Sequence, residues 1–264
     1  MANENPWLAR RVISFAHQGG AAEGPASTIE TMRLARRNGS AALEFDLHLT
    51  HDKALVLQHD PELVVGGRTV KIANEDLAEL RRLKPDIATV EEALAAFPDV
   101  PLTVEVKAPE AAEVAARTLA DEPGDRPVIV TAFAPATVAA VKRVAPDLDT
   151  APAWPTILAF WLMSRVGLPA PIGKGHVALQ VALRLDQVTG AKRIPIIRRL
   201  RVADHRLVDA AHRRGLAVHV WTLNDEAAMR AALEAEADGI FTDRPSVLTR
   251  TLKAAGVYWR GPEP

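Results

Sequence analysis

Ala41-Ala42-Leu43-Glu44-Phe45-Asp46-Leu47 is the stretch from which the rest of the chain is read. In a β-strand successive side chains point to opposite faces, so Glu44 and Asp46 project together while Leu43, Phe45 and Leu47 face the other way. Two carboxylates on one strand face repel unless something compensates, and charged residues are almost never fully buried unpaired. A hard cation is an economical compensation, and a set of oxygen ligands fits Mg²⁺ or Ca²⁺. The plain alternative is a solvated edge strand.

Outward from this strand the same type of segment recurs. Val12–Ala16, Leu102–Val106, Val128–Ala132, Val177–Leu183, Leu216–Trp221 and Gly239–Phe241 are short apolar runs that read as buried strands, with Leu148–Ala151 a weaker eighth. Between them lie helical patterns at Thr28–Asn38, Thr89–Ala96, Glu110–Ala120, Ala134–Val144, Asp204–Arg214, Asp225–Glu236 and Pro245–Ala255. Thr28 is placed to cap the first of these, and Pro135 and Pro245 fit first helical turns. Strand followed by helix, repeated, implies an α/β protein with a parallel sheet. Eight such units in 264 residues close into a (β/α)8 TIM barrel, whereas an open doubly wound sheet would usually need fewer strands. The long polar connection Asp60–Asp86 is a short insertion after the second strand. Residues 8–255 are expected to form one barrel domain and 256–264 a C-terminal tail.

Composition narrows the function classes. Thirty-two Lys and Arg stand against 33 Asp and Glu, a net charge of −1, which gives no global field to draw in nucleic acid. No cysteine is present, so any metal must be held by carboxylates, imidazoles or carbonyls. The N-terminal segment has an apolar run too short for a signal peptide or a membrane span. The expectation is a soluble, cytoplasmic protein.

Barrel enzymes place their chemistry at the C-terminal ends of the strands. His17 closes the first strand and His59-Asp60 closes the run Leu55–Gln58; in Val104-Glu105-Val106-Lys107, Glu105 and Lys107 point one way from another strand end. Two imidazoles, three acids and a cation thus converge on one rim. Trp221 and Phe133 would wall the mouth with aromatic surface, although core packing explains such residues as readily. Trp154–Met163 is the most apolar stretch; a peripheral membrane contact there, beside Lys192, Arg193, Arg198, Arg199 and Arg201, competes with a plain buried helix. His48, read as turned away from Asp46, and His51, His205, His212 and His219 are assigned no chemistry.

These residues carry a resemblance. His17-Gln18-Gly19, the Pro25–Thr28 turn, Glu44-Phe45-Asp46, His59-Asp60, Glu105-Val106-Lys107, Val220-Trp221-Thr222 and Asp238-Gly239-Ile240-Phe241-Thr242-Asp243 resemble the ordered motifs of the glycerophosphodiester phosphodiesterase family, from about His17 to Pro245. The resemblance implies a TIM barrel with one divalent metal ion, Glu44, Asp46 and Glu105 as its ligands, His17 and His59 as the acid/base pair, and Lys107 against the substrate phosphate. It further implies hydrolysis of glycerophosphocholine-like diesters to an alcohol and glycerol 3-phosphate. The alternatives are a lysophospholipase D-like activity on lysophospholipids and a barrel that binds phosphate esters or membranes without turnover. Two departures stand out: Gln18, also a candidate substrate contact, where the family has Arg, and Pro25-Ala26-Ser27-Thr28 where it has Pro-Glu-Asn-Thr. A cation and a carboxylate are absent together, which suits a matched change, since losing one member of a buried pair costs more than losing both.

Overall fold

The computed structural model describes residues 5–8, 11–122, 126–169, 172–188 and 200–258. Along the chain the elements are β1 (Ile13–Ala16), α1 (Ile29–Arg37), β2 (Ala42–Leu49), β3 (Leu55–Leu57), β4 (Glu62–Val65), β5 (Arg68–Lys71), α2 (Leu77–Leu83), α3 (Val90–Ala96), β6 (Leu102–Val106), α4 (Ala112–Ala120) and β7 (Val128–Thr131). There follow α5 (Pro135–Val144), α6 (Trp154–Arg165), β8 (Ala178–Ala182), α7 (His205–His212), β9 (Ala217–Trp221), α8 (Glu226–Glu234), β10 (Gly239–Thr242) and α9 (Pro245–Ala254).

The strands run in the spatial order β7-β6-β2-β1-β10-β9-β8, all parallel. Closure falls to one residue. Thr150 forms parallel bridges to Val130 on one side and to His176, just ahead of β8, on the other. The weak eighth run is therefore a single-residue strand, and the architecture is the (β/α)8 TIM barrel. Gly173 and Gly175 precede it on the partner side, and the Thr150 hydroxyl donates to the Gly175 carbonyl at 2.9 Å.

Residues two apart along each strand share a fate. Leu43, Phe45 and Leu47 of β2, with Leu102, Val104 and Val106 of β6, pack outward against helices in one apolar cluster; Leu179 and Val181 of β8, Val218 and Val220 of β9 and Ile240 of β10 do so in a second. The intervening positions face the barrel axis. At the N-terminal end these are Ile13, Phe15, Ala42, Ile129, Ala178, Ala217 and Phe241, plugged by Trp7 from the segment before β1. At the C-terminal end they are polar, which is where the site lies.

Local chemistry starts the helices where the sequence indicates. The Thr28 side chain accepts from Thr31 N, Thr89 and Glu92 form a reciprocal capping box, and Asp204 and Asp225 cap α7 and α8. The insertion is a folded unit: β3 pairs antiparallel with the end of β2, β4 and β5 form a hairpin, and Val56, Leu63, Ile72, Leu80 and Ile87 make its own small core. Beyond α9 the chain returns to the first strand, with Val12 N donating to the Val257 carbonyl at 3.0 Å and the Tyr258 hydroxyl to Gly39 O at 2.8 Å.

Candidate active site

A cavity of about 460 Å³ opens at the C-terminal end of the barrel, and His17, Glu44, His59, Glu105 and Lys107 line it. Among the described residues that line it these are the charged or titratable ones, and all come from the sector of β1, β2, β3 and β6. The facing sector contributes Phe133, Trp154, Ile157 and Trp221. Phe133 and Trp221 meet edge to face with ring centroids 6.3 Å apart, and Phe133 is 51% exposed at the rim.

Parallel register fixes the acidic cluster. Asp46 on β2 lies beside Glu105 on β6, and Glu44 beside Thr103. One oxygen each from Glu44, Asp46 and Glu105 falls within 4.8 Å of the others. Glu44 and Asp46 are buried. Burial, with the neighbouring Glu105 charge, raises the Glu44 carboxyl; His17 and the Gln18 N–H offset part of this. Burial and then the Glu44 charge push Asp46 up to about 7. Asp46 Oδ2 is buried with no hydrogen-bond donor, while Oδ1 meets Lys107 Nζ at 2.9 Å. Lys107 Nζ also lies 3.0 Å from Glu105 Oε1. Burial would lower the lysine, yet Asp46 and Glu105 hold it above its ordinary value. One ammonium shared by two carboxylates leaves half of Asp46 without a partner, and leaves Glu44 only the Gln18 N–H and the more distant His17 ring. That all-oxygen, mutually repelling donor set suits a hard divalent ion.

The two histidines are held differently. His17 begins a tight turn that follows β1; its Nδ1 is 2.6 Å from Asp243 Oδ1 and its Nε2 4.0 Å from Glu44 Oε2. Burial opposes charge on this ring, but Glu44, Asp243 and Asp46 outweigh it and lift His17 to about 9. His59, after β3, is 47% exposed and pairs through Nδ1 with its exposed neighbour Asp60 at 2.8 Å. Asp243 in turn accepts from Asn224 Nδ2 at 2.6 Å. Burial raises Asp243, and the His17 and Asn224 contacts more than reverse this, leaving it below the usual carboxylate value.

The structure therefore brings His17, His59, Glu44, Asp46, Glu105, Lys107, Phe133 and Trp221 to one end of the barrel. Gln18 lies beside the cavity rather than among its lining residues. It sits in the left-handed region at φ 49°, and its backbone N–H donates to Glu44 Oε2 at 2.8 Å. Ser27 N donates to the Gln18 carbonyl at 2.9 Å, so the two departures from the family pattern touch in space. The reading of His48 as turned away from Asp46 is corrected. The two-residue period of β2 puts it on the face of Glu44 and Asp46, and its ring Nε2 lies 3.1 Å from the His59 carbonyl oxygen, supporting the backbone of that loop. Trp154–Met163 becomes α6, with Ile157, Phe160 and Trp161 buried and Leu162 exposed. Of the basic cluster, Lys192, Arg193, Arg198 and Arg199 lie outside the described residues. Asp243 and Asn224 were not singled out in the sequence for a site role; a polar residue one or three positions past the end of a barrel strand is the signal that points to them.

The chain matches the family described as the Glycerophosphoryl diester phosphodiesterase family over residues 17–247. It is similar to a Mycobacterium tuberculosis protein named "Probable glycerophosphodiester phosphodiesterase 2", 27% identical and covering 94% of this chain and 93% of that one. Among solved structures it resembles a glycerophosphodiester phosphodiesterase from Thermotoga maritima, with a TM-score of 0.70 at 22% identity over 90% of this chain and 97% of that one. It also resembles an Oleispira antarctica phosphodiesterase in complex with the product sn-glycerol-3-phosphate, with a TM-score of 0.69 at 20% identity over 92% and 97% of the two chains.

Proposed function

The chain belongs to the glycerophosphoryl diester phosphodiesterase family, and from that premise we propose that it hydrolyses glycerophosphocholine-like diesters to an alcohol and glycerol 3-phosphate. The observation that carries this reading is the cluster of Glu44, Asp46 and Glu105 beside His17 at the mouth of the barrel. In this reading the three carboxylates hold one divalent ion, Mg²⁺ or Ca²⁺. When bound, such an ion supplies a Lewis acid that neutralises phosphate oxygens and orients the diester.

The chain's own residues do the rest. Lys107 offers the phosphate a second positive charge from the rim. His17 and His59 divide the proton work: one imidazole takes the proton of the attacker and the other gives a proton to the departing alcohol oxygen. The attacker is either water, which yields glycerol 3-phosphate directly, or the substrate's own glycerol hydroxyl, which yields a cyclic phosphate that water then opens. Gln18 acts through its backbone N–H, which holds Glu44 in place. Phe133 and Trp221 exclude water from the side where the organic substituent lies.

The test is release of glycerol 3-phosphate or free alcohol from glycerophosphocholine, with EDTA and with Mg²⁺ or Ca²⁺ added back, and His17→Ala as control. Metal-restored, His17-dependent turnover is expected. A folded protein inactive with every ion would favour a barrel that binds phosphate esters without turnover.

A second reading takes lysophospholipids as substrate, favoured by the apolar wall of Phe133, Trp154 and Ile157 and by the exposed Leu162 on α6. A higher kcat/KM on lysophosphatidylcholine than on glycerophosphocholine would select it. No helix among the described residues is long and apolar enough to cross a membrane.

A further inference from the structure

We infer that Asp243 and Asn224 are positioning residues for His17, forming a hydrogen-bonded chain that fixes which ring nitrogen the cavity meets. The inference rests on the hydrolase reading for its kinetic readout and on geometry for its substance. The chain follows the sheet. β1 pairs with β10 and β10 with β9, so the residues just past these three strands, His17, Asp243 and Asn224, are lateral neighbours at the mouth.

Each link has a defined direction. Asp243 Oδ1 faces His17 Nδ1 at 2.6 Å, so the carboxylate accepts the Nδ1 proton. Nε2 is then the nitrogen left toward Glu44 and the cavity, free to take or give a proton. A ring partner at one nitrogen fixes the tautomer and orientation of the other, which is the work an acid/base histidine needs done for it. Asp243 Oδ2 is occupied by Asn224 Nδ2 at 2.6 Å.

The Asn224 amide is itself oriented. Its Oδ1 accepts from Asp243 N at 2.8 Å and from the Thr242 hydroxyl at 3.2 Å, and an amide flipped end for end would lose both bonds and present an oxygen to a carboxylate. Among the described residues the Asp243 carboxylate bonds no backbone N–H, so helix capping does not explain it. The backbone on both sides is tied down: Ala22 N donates to Asp243 O at 3.0 Å, and Glu23 accepts from Ser246 N at the start of α9 at 2.9 Å. The His59 ring, which meets only its exposed sequence neighbour Asp60, has no such chain behind it among the described residues, although the His48 ring supports the His59 backbone.

The experiment uses the full chain with its metal ion and compares wild type with Asp243→Asn and Asn224→Ala. Kinetics on glycerophosphocholine are read beside the low-field proton resonance of the short His17 Nδ1–H···O bond. Asp243→Asn is expected to lower kcat by about 10²- to 10⁴-fold with KM held within about threefold, and Asn224→Ala by about tenfold, each with loss or upfield movement of the resonance. A folded Asp243→Asn enzyme with kcat near wild type, or an unmoved resonance in either variant, overturns the inference. If Asp243→Asn does not fold, Asn224→Ala decides by the same two readouts. A wild-type chain that turns over no diester contradicts the hydrolase reading instead, and the resonance still decides the hydrogen-bonded chain.

Discussion

Two layers of one barrel interior, built on the same strands a few residues apart, differ in almost every physical respect. On β1 the axis-facing Phe15 is followed two residues later by His17; on β2 Ala42 is followed by Glu44 and Asp46; on β9 His219 by Trp221; on β10 Phe241 by Asp243. The lower layer is an aromatic stack. Phe15 lies 4.4 Å from Phe241, 4.8 Å from the His219 ring and 5.9 Å from Trp7, centroid to centroid. Room for these rings comes from small residues on the same and adjoining strands, Ala42, Ala178, Ala217 and Gly239. The upper layer has the opposite economy, holding like charges close together at the expense of stability and leaving a cavity open. A packed floor lets the mouth keep groups that would repel one another elsewhere, because the strand ends are already fixed from below.

That contrast is broken most severely at the mouth. Glu44→Gln or Asp46→Asn should lower turnover by on the order of 10³-fold, because each removes a charge that steadies the proposed ion. Thermal unfolding of the metal-free protein should be unchanged or raised, since burial and the Glu44 charge press Asp46 toward its neutral form. Turnover and unfolding temperature measured on one preparation check both halves. A parallel fall in the two would mean that the acids serve the fold.

The floor should answer in reverse. A Cβ on Gly239 would stand 2.6 Å from Phe15 Cε2 and 2.8 Å from His219 Cδ2. Gly239→Ala should therefore cost about 1–3 kcal/mol through overpacking, read as a lower denaturant midpoint. Turnover of the protein that stays folded should remain close to wild type.

A smaller effect separates the layers by pH. Burial lowers His219 to about 3, below the ordinary 6.5. Between those values the unfolded chain binds the proton and the folded chain does not, so stability rises with pH across this window. His219 contributes no penalty above about pH 6.5 and a growing one as pH falls toward 3. Replacing it with Leu should flatten the decline in unfolding temperature over that acid range. An identical slope in the variant would show that the imidazole gains solvent or a partner on protonation.

How much of this is legible in the sequence follows from the range of the interactions. The alternation of Leu43, Glu44, Phe45, Asp46 and Leu47 is local, so the inward acids and outward apolar residues are readable, as are the Thr28 cap and the Pro135 and Pro245 helix starts. Thr150 is harder, because a strand reduced to one bridged residue has no periodicity to show. Asp243 touches His17 across 226 positions of sequence, and only closing β1 against β10 makes them neighbours. The insertion hides for another reason: its core needs Val56 and Ile87 from either side of a polar hairpin. His48 could have been placed correctly from the strand period alone.

The smallest expected effect lies where this chain leaves its family's pattern. Gln18 holds a left-handed backbone conformation, and its carbonyl receives Ser27 N, which brings the position of the absent cation against the residue that follows the absent carboxylate at Ala26. Gln18→Arg alone places a half-buried guanidinium at the mouth without its acid, and Ala26→Glu alone adds a further carboxylate to an already acidic rim. Each should lower the unfolding temperature slightly. Together they should cost less than their sum, with a coupling on the order of 1 kcal/mol, because each supplies the other's partner. A double-mutant cycle in denaturant measures this directly, and strict additivity would mean that the two changes arose independently. The same cycle run on kcat/KM shows whether the mouth tolerates a second cation beside Lys107. A gain confined to the doubly substituted enzyme would place Gln18 among the residues that set phosphate affinity, whereas no change would leave that work to Lys107.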